Sequence, residues 1–330
     1  MKDLSIPIDR DLIKAELTDD KLLRTTNKAG NLIYLTTASE SPNVMKEIAR
    51  IRELAFRLCG AGSGKMFDMD AFDWAERPYK QLFVWDPQNE EIIGGYRLIF
   101  GNEVAIDENG QPDLVTASMY KFSQKFIDEF LPYTIELGRS FVHPDYQASK
   151  MGSKSLYSLD NLWDGLGAIT VLRPDMKYFF GKVTVYPSYE EQARELIFTF
   201  LNKYFPDEDT LVEPIDPFTR PGFAADYAGL FAGGSFKEEY KILNGKVRER
   251  GVNIPPLVNA YMNLSPTMRT FGTAVNTEFG NVEETGILIA VDEILEDKRM
   301  RYIESFAKQN PELIELRTGA HKVFYTGENK

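Results

Sequence analysis

The chain has 330 residues, 43% of them hydrophobic and 12% aromatic, with a formal net charge of −12. That size and composition bury a sizeable globular core, and the acidic balance argues against broad nucleic-acid binding and unaided docking on an anionic membrane. No apolar run approaches the roughly 20 residues of a membrane span, and one cysteine with two histidines excludes an internal disulfide and an ordinary zinc site. Residues 1–10 lack the apolar core of a signal peptide, so a reducing cytoplasm is the expected compartment.

Residues 8–24 read as a helix, within a helical lead-in of 1–30, and 31–37 as a strand. Ser41-Pro42-Asn43 opens a helix whose apolar stripe is Val44, Ile48, Ile51, Ala55 and Leu58. Arg52 lies beside that stripe; Arg50, Glu53 and Arg57 fall on the solvated side, and Cys59 reads as a small buried hydrophobe. The run Gly60-Ala-Gly-Ser-Gly-Lys65 is no phosphate loop. Its glycine spacing is one residue short, Met66 replaces the hydroxyl residue, and it follows a helix instead of a strand. A flexible loop covering a substrate fits it better. Asp68, Asp70 and Asp73 form an acidic turn or helix cap.

Residues 81–100 are a hairpin around the turn 86–90. Arg97 sits inside its apolar second strand, where a guanidinium needs a partner or an edge. A short helix is expected over 121–130.

The stretch 134–147 is the most informative. Its β-favouring residues end at Pro144-Asp145, yet its centre is Glu136-Leu-Gly-Arg139. Three residues apart, Glu136 and Arg139 point to opposite faces of a regular strand. A bulge near Gly138 turns both toward one site; the alternative is a structural ion pair. His143, before Pro144, reads as structural.

The polar turn 147–154 opens a helix carrying Leu156, Leu159, Leu162, Trp163, Leu166 and Ile169. Its free N–H groups, with Lys150 and Lys154, suit an anion. Residues 178–186 form a strand. A helix beginning at Pro187-Ser188 follows, with Ala193, Leu196, Ile197, Phe200, Leu201 and Tyr204 on one face. Residues 206–250 look like an irregular surface excursion. Beyond them lie a helix (255–262), a buried strand (285–291) and a helix (294–306). The alternation gives an α+β architecture.

Ile51-Arg-Glu-Leu-Ala-Phe-Arg57, the aspartates 68, 70 and 73, Gly95-Tyr-Arg97 and Glu136-Leu-Gly-Arg139 occur in the order found in the GNAT acyltransferase superfamily. Together they resemble its acyl-carrier-protein-dependent branch, which holds the acyl-homoserine-lactone synthases and the ornithine-lipid N-acyltransferases, a group often labelled hemolysins. Leu162-Trp163-x-Gly165, Tyr178-Phe-Phe-Gly181, Pro256-Leu-Val-x-x-Tyr261 and Phe279-Gly280 are similar to that second group. The resemblance spans roughly 30–305. It implies an α/β sandwich with a mixed, mostly antiparallel sheet, splayed middle strands and helices on both faces. The core would be 31–205, with 206–330 an extension completing the same domain.

What it implies chemically is transfer of a long-chain acyl group to the amine of an amino acid such as ornithine or glycine. Gln147 lacks the glycine pattern that cradles coenzyme A pyrophosphate, which favours acyl-phosphopantetheine on acyl-carrier protein as donor; coenzyme A is the alternative, and no permanent cofactor or metal is expected. Glu136 is the candidate general base with Arg139 beside it. Arg52, Arg97 and Arg139 are candidates for the acceptor carboxylate, Asp70 and Asp73 for its ammonium or for orienting those arginines. Peptide groups near Ser140 and Phe141 are candidates for the oxyanion. Trp163, Phe179 and Phe180, with Phe141, are candidate walls of an acyl channel, and equally candidates for ordinary core. Lys150, Lys154, Arg173, Lys177 and Lys182 form the candidate carrier-docking patch, and peripheral contact with a membrane would come through the product. The competing readings are acylation of a protein amine or short-chain transfer from coenzyme A on the same fold, and a non-catalytic module that senses acyl-carrier protein.

Overall fold

A computed structural model describes residues 1–147, 157–218, 227 and 229–311. Its centre is an eight-stranded sheet. The strands are β1 (Leu22–Thr25), β2 (Leu32–Thr36), β3 (Lys80–Asp86), β4 (Glu91–Phe100), β6 (Thr134–Val142), β7 (Tyr178–Val185), β9 (Arg269–Asn276) and β10 (Val282–Ala290). The order is β1-β2-β3-β4-β6-β7-β10-β9. Only β6 and β7 are parallel; every other neighbouring pair is antiparallel. Two short strands, β5 (Tyr120–Phe122) and β8 (Val212–Pro214), pair separately.

Period-2 alternation sorts the strands onto two layers. Phe83 and Phe141 pack under helix α2 (Pro42–Leu58), and Ile99 packs with the segment 104–131. Leu82, Leu98 and Leu137 face the other way. Helices α3 (Ser158–Leu172), α4 (Glu191–Tyr204), α5 (Phe236–Glu249) and α6 (Pro256–Met262) bury that second face. Among the described residues no helix is long and apolar enough to cross a membrane.

The strand pairing differs from a regular sheet at the two places that make the site. Gly95 faces Phe141 and Arg97 faces Gly138, so Arg139 and Ser140 stand opposite Tyr96 alone. This is the expected bulge, and Arg139 takes it up with φ +47°. A left-handed backbone at a non-glycine residue costs about 1–3 kcal/mol and is found where the surroundings fix it. The β6–β7 ladder runs only from Thr134↔Tyr178 to Leu137↔Gly181. Beyond that pair the strands part.

Several expectations need correction. Of 8–24, only α1 (Arg10–Glu16) is helical, and β1 follows as an edge strand. Glu53 is fully buried: its carboxylate accepts from the N–H groups of Ser63 and Gly64 and pairs with Arg57 at 2.7 Å. The glycine loop is therefore pinned to α2. Arg50 is also buried, paired with Glu47. Residues 120–122 are strand, and the helical turns there begin at Gln124. Within 206–250, α5 is a regular helix with a capping box at Ser235 and Glu238, and it buries Leu243 and Val247. Strand β9, rich in Thr with a central Gly272, carries a weak apolar pattern and escapes a reading by periodicity.

Candidate active site

Where β6 and β7 part, a cavity of about 530 Å³ opens, bordered by residues of both sheet faces. Its polar end lies on the α2 side. Glu136 projects there from β6, 2% exposed. The Tyr79 hydroxyl donates to its Oε2. Thr116 donates to Oε1 through its hydroxyl at 2.6 Å and its N–H at 3.2 Å. Burial pushes the Glu136 carboxyl above the ordinary carboxylate range, against those hydrogen bonds and the nearby Lys182. A buried carboxyl whose pKa is raised is suited to accept a proton.

Across the gap, Lys182 of β7 meets Glu284 of β10 at 2.6 Å. Thr184 and Asn276 also donate to Glu284, at 3.2 and 3.0 Å. Burial opposes its charge, yet Lys182 and Asn276 keep Glu284 below the ordinary range.

Behind the cavity lies a block of three arginines and three aspartates. Asp68 Oδ2 forms ion pairs with Arg52 Nε at 3.1 Å and Arg139 Nε at 3.0 Å. Burial works against the Asp68 charge, but Arg139 and Arg52 hold its carboxyl low. Asp70 caps the turn that Asp73 closes from the other side. Arg97 Nη1 meets Asp70 Oδ2 at 2.8 Å and Asp73 Oδ1 at 3.5 Å. Arg139 lies over Phe279 at 4.5 Å from the ring centre. This block fixes the bulge, because the Arg139 guanidinium, carried on that left-handed backbone, pairs with Asp68 and lies over Phe279.

Glu136, Arg97, Arg139, Ser140, Phe141 and Lys182 all border the cavity. Arg52, Asp70 and Asp73 do not; they sit behind Arg97 and Arg139 and hold them. Cys59, read as buried, is partly exposed in the cavity wall beside Tyr186. The aromatic trio is elsewhere. Trp163 packs edge-on to Phe179 and Tyr261 in the core of the second face. Phe180 is buried among Phe122, Phe126 and Phe271. The walls near the second face are Leu137, Leu159, Pro255, Pro256, Leu257 and Tyr261.

Among the described residues the basic patch does not gather at the gap either. Arg173 pairs with Asp175 and stacks on Phe100, and Lys177 lies over Tyr133, both at the closed end of the β6–β7 ladder. Lys182 is committed to Glu284 inside the cavity. Lys150 and Lys154 lie outside the described residues. His143 caps a short turn by accepting from the Asp145 N–H, the structural role expected of it.

Tyr79, Thr116 and Glu284 were not legible as site residues. Glu284 obeys the rule that singles out Arg97, a charge inside an apolar strand, but a strand drawn from Thr285 leaves it out. Nothing local marks Thr116, which reaches the cavity from an irregular turn.

Residues 51–156 match the Acetyltransferase (GNAT) domain family. Glycine N(alpha)-acyltransferase of Phocaeicola vulgatus is 59% identical over 98% of this chain and 99% of its own length. Glycine N(alpha)-acyltransferase of Bacteroides thetaiotaomicron is 55% identical over 98% of this chain and 96% of its own. A solved coenzyme A-dependent acyl-homoserine lactone synthase aligns over 85% of this chain and 89% of its own, with 10% identity and a TM-score of 0.36.

Proposed function

The chain is a GNAT acyltransferase, a member of the family of those two relatives, and from that premise we propose that it acylates the α-amine of glycine with a long-chain acyl group carried as a thioester. The relatives' names support glycine over ornithine as the acceptor. The sequence after Gln147, which lacks the glycine pattern of a pyrophosphate cradle, supports a carrier-protein donor. The observation that carries the reaction is the buried, hydrogen-bonded Glu136 carboxylate in the cavity wall at the point where β6 and β7 part.

The steps balance as follows. The glycine ammonium gives one proton to Glu136 and becomes a nucleophile. Its nitrogen adds to the thioester carbonyl, forming the C–N bond, and peptide N–H groups of β6 beyond the ladder's end meet the oxyanion. Collapse breaks the C–S bond, and the second nitrogen proton leaves with the thiol. Glu136 returns its proton to solvent. The apolar walls formed by Leu137, Leu159 and Leu257 receive the acyl chain.

The test is thiol release from long-chain acyl-carrier protein, and in parallel from acyl-coenzyme A, with a panel of amino acids and mass spectrometry of the product. Glycine-dependent release giving N-acylglycine is the expected outcome, with Glu136→Gln slower by about 10²–10⁴-fold. Undiminished turnover in Glu136→Gln would remove Glu136 as the base. Turnover with acyl-coenzyme A alone would reassign the donor.

A further inference from the structure

Arg97 is engaged on one side only. Nη1 is taken by Asp70 and Asp73, and the guanidinium lies 5.2 Å over the Tyr79 ring. Nε and Nη2 are buried and, among the described residues, have no hydrogen-bond partner. A guanidinium edge taken from water without an acceptor is costly, and such orphans in native proteins call for an explanation. Here Arg97 is among the residues that border the cavity, and Nε with Nη2 is the pair of parallel donors that grips a carboxylate bidentately.

The neighbouring cations are less suited. Arg52 does not border the cavity, Lys182 is bound to Glu284, and Arg139 spends its Nε on Asp68. Opposite Arg97 on β6 stands Gly138. A Cβ added there would lie 3.8 Å from both Cγ and Nε of Arg97, with nothing else within 4 Å. It would fit without displacing backbone and would stand against the unpartnered Nε.

We propose that the Nε–Nη2 edge of Arg97 binds the α-carboxylate of the acceptor, and that residue 138 is glycine because any side chain there covers that edge. The proposal rests on the amino-acid acylation described above and names the recognition element within it. Tyr79 ties this edge to the base: its ring underlies the guanidinium and its hydroxyl donates to Glu136. The acceptor's carboxylate and amine are thus met by two groups held in one fixed geometry. An amine that lacks a carboxylate one carbon away loses its anchor.

The experiment compares glycine, β-alanine, glycinamide and methylamine at equal free-amine concentration, with wild type and Gly138→Ala. Wild type should favour glycine over glycinamide and methylamine by about 10²-fold or more in kcat/KM, with β-alanine well below glycine. Gly138→Ala should raise KM for glycine by about 10-fold or more, while KM for the thioester donor and the melting temperature stay as in wild type. Equal use of glycine and glycinamide, or an unchanged glycine KM in Gly138→Ala, overturns the proposal and leaves acyl transfer standing. Should no amine be acylated with either donor, the acylation reading itself fails. Calorimetric glycine binding then decides the carboxylate site: weakening in Gly138→Ala sustains it, and equal or absent binding overturns it.

Discussion

Tyr79→Phe separates the chemistry of Glu136 from its packing. The substitution removes one oxygen and keeps the ring, so the stacking under Arg97 survives. Two hydrogen bonds disappear. One is the donation to Glu136 Oε2; the other is accepted from the Val115 N–H at 3.0 Å. The first favours the charged carboxylate, so its loss raises a pKa that burial has already raised. A hydrogen bond to a charged group is worth about 1.5–3 kcal/mol, which at about 1.36 kcal/mol per unit is a rise of about 1–2 units. The low-pH limb of kcat, where Glu136 protonates and ceases to act as base, should move to higher pH by that amount, with activity retained on the plateau. The second loss leaves a peptide N–H unsatisfied and should lower stability by about 1–3 kcal/mol in denaturant unfolding. The assay is kcat for N-acylglycine formation between pH 5 and 10 at saturating substrates, beside a urea melt. A limb that stays in place while stability falls would refute Glu136 as the titrating base.

Glu136→Gln itself makes a stability prediction. A carboxyl whose folded-state pKa is raised binds protons more tightly folded than unfolded, so wild type loses stability as pH climbs from the ordinary value of 4.5 through the folded pKa. The glutamine variant lacks that loss, and its melting temperature relative to wild type should rise across the same window; a flat difference would contradict the shift. Glu284→Gln leaves the Lys182 ammonium, 12% exposed, without its anion, and should cost about 3–5 kcal/mol in chemical denaturation. A loss under 1 kcal/mol would mean that Lys182 reaches water. Leu257→Trp narrows the apolar wall of the cavity and should shift the product toward shorter acyl chains in mass spectra of a mixed-donor reaction. An unchanged chain-length profile would place the acyl chain elsewhere.

The parts of the site that were legible share one signal, a charge where the surrounding pattern is apolar. Arg97 in β4 and Glu136 and Arg139 in β6 stand out because a strand interior does not keep such groups without partners. Glu53 shows the limit of that signal. On the helix it falls outside the apolar stripe, and it is buried only because the loop 60–64 folds back to donate N–H groups to it. Trp163, Phe179 and Phe180 do not line the cavity together, for a reason the chain itself contains. Phe179 and Phe180 are consecutive in a strand and take opposite faces, so the two cannot line one wall together. Trp163, on a helix over one face, could join only Phe179.

The cavity's location is the deeper case, because no single segment encodes it. It exists where the parallel ladder of β6 and β7 ends at Leu137 and Gly181, and those strands lie some forty residues apart in sequence. Yet the cause is local to β6. The bulge at Arg139 and Ser140 begins two residues past the last paired position. A bulge bends its strand and steepens its twist, which carries β6 away from β7 while β4 still holds it at Phe141 and Val142. The same irregularity that aims Arg139 at Asp68 therefore opens the gap that Glu136 borders. Straightening it, by any change that returns Arg139 to an extended backbone, would close the cavity and turn the guanidinium away from Asp68 in one movement.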